Sequence, residues 1–121
     1  MSNVFHIPFY VTATEHTMMP VGSDGARVSC YVGELNLELA IKKAISKLKN
    51  DGLSTKKILD PVERMDSSHW AYHVAKKWPE QAYSLCTQEE FEDGIERGVV
   101  IYGPLTVYSP VSYYTSPSPR D

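Results

Sequence analysis

The segment HWAYH places His69 and His73 four residues apart. On a helix that spacing puts both imidazoles on one face, where they can meet one metal ion such as zinc. A zinc protease also needs a glutamate directly after the first histidine to act as general base, and Trp70 stands there instead. A third ligand would have to come from Cys86, Glu63 or Asp66, and the spacing selects none of them. The plainer reading is two polar residues beside a tryptophan-lined stripe. Trp70, Tyr72 and Trp78 form a second set, because large aromatic side chains anchor protein interfaces. Trp70, Val74 and Trp78 recur every four residues, which a core-facing helix also requires. Tyr72 lies off that stripe and is better placed for a surface role.

Other chemistry is thinner. Asp60, Glu63 and Asp66 lie close in sequence, and a pair of them can do acid–base work. The run EEFED, Glu89–Asp93, complements the positive end of a helix. Solvated charge is the simpler account of both. GSDG follows no phosphate-loop spacing and opens no helix, so it reads as a turn. Ser29-Cys30 lacks a nucleophile elbow, and no Ser–His or Cys–His pair is evident locally. No catalytic residue is assigned, and no cofactor is expected outside the zinc alternative.

The elements that would position these residues follow from periodicity. Phe5, Ile7, Phe9, Val11 and Ala13 alternate within a strand expected over Val4–Thr14. Pro8 removes a ladder donor and suggests an edge or a bulge. Asp24-Gly25 suits a tight hairpin turn leading into a strand over Arg27–Gly33. Asn36 is an N-cap, and Leu37, Ile41, Ala44, Ile45 and Leu48 form one stripe of a helix over Leu37–Asn50 that stops at Gly52. Lys42, Lys43, Lys47 and Lys49 fall outside the stripe and read as a solvated face. A strand over Thr55–Met65 is broken at Asp60-Pro61. Asp66 or Ser67 caps a helix over Ser68–Trp78, which Pro79 ends. Tyr83–Cys86 reads as extended. TQEE is a capping box, with Thr87 and Glu90 opening a helix over Gln88–Arg97 that buries Phe91 and Ile95. VVIYGPLTVY reads as strand, Gly-Pro break, strand. There is no internal repeat and no interdomain linker.

These elements make an α+β fold: a β-hairpin, then a helix, with a mixed or antiparallel sheet covered on one face by two or three helices. A ferredoxin-like arrangement is the topology expected. The chain of 121 residues, with 42% hydrophobic and 22% charged residues, suits one globular domain over residues 1–110. A net charge of −3 and the lack of a basic stripe argue against nucleic acid as a partner. No apolar run approaches the roughly 20 residues of a spanning helix, so no membrane partner is expected. The N-terminus lacks the basic and apolar regions of a signal peptide. Two cysteines, Cys30 and Cys86, make no disulfide framework, and a reducing cytoplasmic setting is expected.

Residues 111–121 read as a disordered tail. Within it, Tyr114–Asp121, YTSPSPRD, resembles a translated transposon-type sequencing adapter. In frame, TAC ACA TCT CCG AGC CCA CGA GAC gives these residues. Ser112-Tyr113 departs from the adapter, which would place leucines there. The resemblance implies a metagenomic origin and a natural C-terminus lost at the junction, and SPSP then carries no binding information. No protein family is recognised in residues 1–113. The function expected is a small cytosolic protein-binding, inhibitor or immunity-type protein of bacterial or phage origin. The alternatives are a small enzyme or metal-binding domain using His69 and His73, or the N-terminal domain of a longer protein.

Overall fold

Strand β1 (Asn3–Ala13) alternates apolar residues over most of its length, and it forms the middle of a five-stranded antiparallel sheet. The computed structural model describes residues 3–13 and 25–108. Strand β2 (Gly25–Gly33) pairs along β1, with Phe5 opposite Val32, Ile7 opposite Cys30 and Phe9 opposite Val28. Strand β5 (Ile101–Tyr108) lies outside β2. On the far side of β1, two short strands share one edge end to end. Strand β3 (Leu53–Ile58) pairs with Phe9–Ala13, and strand β4 (Glu63–Asp66) pairs with Asn3–His6. The class is α+β, as the order of elements indicates.

Period 2 splits the sheet into two faces. Phe5, Ile7, Phe9 and Val11 share one face with Val28, Cys30 and Val32. Helix α1 (Leu37–Asn50) covers this face with Ala40, Ala44 and Leu48. Val4 and Tyr31 point the other way, into a second core made with Trp70, Val74, Phe91 and Ile95 of helices α2 (Trp70–Lys77) and α3 (Gln88–Glu96). Helices therefore cover both faces, where one was expected. The reason is visible in β1 and β2, whose alternate positions are also large and buried. The ferredoxin-like order does not hold either. That motif runs β-α-β-β-α-β, whereas here two neighbouring strands precede the first helix.

Local signals explain the element ends. Asn36 accepts from the Leu39 amide at 2.9 Å, and Gly52 takes a positive φ of 84° just past α1. The buried stripe of α1 is rotated from the expected one: Ala40, Ala44 and Leu48 are buried, while Leu37 and Ile45 are more than a third exposed. Before α2, Ser67–His69 forms a 3-10 turn capped by Asp66. Ala82–Ser84 is another such turn, replacing the expected extended piece. Pro8 sits in the central strand and not at an edge. Its carbonyl accepts from Leu59 in the connection between β3 and β4, so its missing N–H faces the break in the ladder. The Gly-Pro pair does not divide the last segment. Val28 faces Leu105 and Cys30 faces Tyr102, so Gly103-Pro104 makes a bulge opposite Ser29 within one strand. Gly25 is the first residue of β2. The expected turn residue Asp24, and the tail with its adapter-like segment, lie outside the described residues.

Candidate binding cleft

One cross-strand row organises the α2 side of the sheet. Glu63 of β4 stands opposite His6 of β1, and His6 stands opposite Tyr31 of β2. His6 is buried. Its Nδ1 lies 3.2 Å from Glu63 Oε1 and its Nε2 lies 2.8 Å from Ser29 Oγ. A carboxylate only accepts, so Nδ1 carries the proton and the Ser29 hydroxyl donates to Nε2. Burial pushes the His6 pKa down to about 4; the bond to Glu63 opposes this, and the charges of His73 and Lys77 add to it. The neutral ring stacks on Tyr31 at 4.6 Å.

Tyr31 carries the row to α2. Its hydroxyl accepts from Trp78 Nε1 at 3.0 Å and lies 2.8 Å from His73 Nε2. Indole N–H is only a donor, and the buried phenol hydrogen needs an acceptor, so Tyr31 donates to His73. The neutral His73 ring then keeps its proton on Nδ1. Burial lowers the His73 pKa, Lys77 lowers it further, and Glu63 opposes both. Burial raises that of Tyr31, which stays protonated.

Ser29, His6 and Glu63 follow the bonding order of a serine–histidine–acid triad. Their exposure is inverted. Ser29 is 1% exposed, whereas the Glu63 side chain is 49% exposed. A Cβ added to Gly103 would lie 3.3 Å from Ser29 Cβ, so the bulge covers the hydroxyl closely. No substrate carbonyl reaches Oγ in this arrangement. The row holds Glu63 in place; it does not activate Ser29.

Above the row, a cleft of about 470 Å³ opens between β4 and α2. Glu63, His69, Tyr72, His73, Lys76 and Lys77 line it, over Met65. Tyr72 is 68% exposed and its hydroxyl accepts from Lys76 Nζ at 3.3 Å. Lys77 Nζ lies 5.6 Å from the centre of the Trp78 ring.

The candidate residues separate clearly. Trp70 leaves the interface set: it is buried, stacks on Phe91 at 4.1 Å and donates from Nε1 to the Cys86 carbonyl. Trp78 is half-buried with its N–H turned inward to Tyr31. Tyr72 stands on the surface. His69 and His73 both line the cleft, but His69 ends the 3-10 turn before α2, so the two are not on one continuous α-helix. His73 Nε2 is taken by Tyr31. Of the residues considered as a third ligand, Asp66 instead accepts from the Ser68 amide and hydroxyl, which holds its carboxyl below the usual range. Among the described residues, no group of three or more His, Cys, Asp or Glu side chains is placed to hold a metal ion.

His6, Ser29 and Tyr31 are not singled out by sequence motifs. The available signal was parity: they alternate with the apolar set of β1 and β2 and so belong to the opposite face. The chain matches no known family model, no curated protein and no solved structure.

Proposed function

We propose that this protein works by binding a protein partner through the outer face of α2, with Tyr72 as anchor and the adjoining cleft as the pocket that selects the partner. The observation that carries this reading is a contrast within one cleft. Tyr72 is exposed, while His73 and Glu63 beside it are held from beneath by buried Tyr31 and His6. A partly rigid wall next to a large aromatic lowers the ordering cost of association. The setting that fits is the cytoplasm of a bacterium, with the protein acting as an inhibitor or immunity-type module. Cys30 and Cys86 are both free thiols, which suits a reducing compartment. No helix among the described residues is long and apolar enough to cross a membrane.

Panning a random displayed-peptide library tests the reading. Converging sequences are expected to bind wild type and the α1 variant Lys42→Ala alike. They are expected to lose about tenfold or more on Tyr72→Ala, the scale of an interface hot spot. Sequences that bind all three proteins equally, or a library that never converges, would overturn it.

A further inference from the structure

We infer that the cleft receives a carboxylate side chain, an aspartate or glutamate from an acidic segment of the protein partner; this rests on the binding reading above. Charge pairing points there. Three of the four lysines of α1 are matched: Lys43 reaches Glu34 at 3.2 Å, Lys47 reaches Asp51 at 3.4 Å and Lys42 reaches Glu38 at 3.9 Å, while Lys49, among the described residues, stands alone beside the apolar Ile45 and Leu53. Among the described residues, Lys76 and Lys77 have no carboxylate within 4.0 Å; Lys76 bonds a phenol and Lys77 lies over an indole. Glu63 is the acidic residue of the lining, and it already accepts from His6. The lining therefore carries two ammonium groups against one committed carboxylate, in a chain whose net charge is −3.

Hydrogen-bond capacity agrees. The Nε2 of His73 is occupied as an acceptor, which leaves this ring a donor at Nδ1. Lysine ammonium groups are donors only. A volume of about 470 Å³ holds a carboxylate side chain with its flanking backbone. A basic segment would meet two unmatched lysines.

A carboxylate in the cleft also changes how His73 titrates. The groups that face His73 are His6 from β1, Tyr31 from β2, Glu63 from β4, and Lys77 from its own helix. Lys76 and His69 share its cleft. An added negative charge offsets Lys77 and favours the imidazolium, so the titration midpoint of His73 rises and binding strengthens as pH falls toward that midpoint.

The test is an NMR titration of the histidine imidazoles with acetyl-triglutamate amide, beside acetyl-triglutamine amide and inorganic phosphate. The glutamate peptide is expected to move the His73 signals and raise the midpoint. The double variant Lys76→Gln/Lys77→Gln, with an otherwise unchanged amide spectrum, is expected to bind about tenfold more weakly. Equal shifts from the glutamine peptide or from phosphate overturn the carboxylate assignment, as does an unmoved His73 at millimolar glutamate peptide. Library peptides that are neutral or basic, yet depend on Tyr72, would sink this inference and leave the binding reading standing.

Discussion

His6 is the residue on which the sheet and the cleft both depend. It is buried beneath α2 with both ring nitrogens bonded, one to Ser29 and one to Glu63. Its folded pKa of about 4 lies below the ordinary 6.5, so the unfolded chain binds more protons between those values. Stability from this residue is then full above pH 6.5 and is lost as pH falls toward 4. A shift of this size corresponds to about 3 kcal/mol across the window. His73 is shifted in the same direction and adds to the loss. Urea unfolding at pH 7 and pH 4.5 is expected to show a larger drop for wild type than for His6→Gln. A direct NMR titration of wild type checks the same point, since the His6 ring should stay neutral until near pH 4. An imidazole that titrates near 6.5 in the folded protein would contradict the buried neutral row.

At the level of elements, local signals decided most boundaries. Helix α1 begins and ends where Asn36 and Gly52 indicate, because capping is a contact between near neighbours. Helix α3 is similar. Thr87 Oγ1 accepts from the Glu90 amide at 3.1 Å, and Glu90 Oε1 accepts from the Thr87 amide at 2.9 Å. Thr87→Ala is expected to destabilise the protein by about 1 kcal/mol, and Thr87→Ser by much less. Thermal melts of the two variants, compared at equal pH and salt, measure the difference; equal losses would show that the methyl packing and not the cap matters. Longer-range features were not legible in this way. Gly103-Pro104 looks like a break, yet it is a bulge because β2 continues past it on one side. Trp70 and Tyr72 differ by two positions and have opposite fates, which the helical phase does show. The bonded row does not show in sequence at all. His6 and Glu63 are 57 residues apart, His6 and Ser29 are 23 apart, and Tyr31 and His73 are 42 apart. Strand order and register join the first two pairs, and the packing of α2 on the sheet joins the third. His69 and His73 stood out in sequence as candidate metal ligands and Tyr72 as a surface aromatic, all in one short segment, but the cleft they share with Glu63 shows only in the fold.

At the level of the molecule, two cores share one sheet. Helix α1 packs on one face through Ala40, Ala44 and Leu48, and helices α2 and α3 pack on the other through Trp70, Val74, Phe91 and Ile95. The faces touch through β1 and β2, whose neighbouring residues alternate between them. A strand cannot lose one face and keep its ladder intact for the other, so the two cores should melt together. The tryptophans allow this to be tested, because Trp70 and Trp78 both lie on the α2 side and leave α1 unreported by fluorescence. Leu48 is fully buried on the α1 side. Truncating it to alanine removes packing worth about 2–5 kcal/mol. In a cooperative molecule, Leu48→Ala lowers the urea midpoint seen by tryptophan fluorescence as much as the midpoint seen by far-ultraviolet circular dichroism. If the fluorescence transition stays at the wild-type midpoint while the circular dichroism transition moves, the faces unfold separately. The α2 cleft would then sit on a unit that is stable without α1.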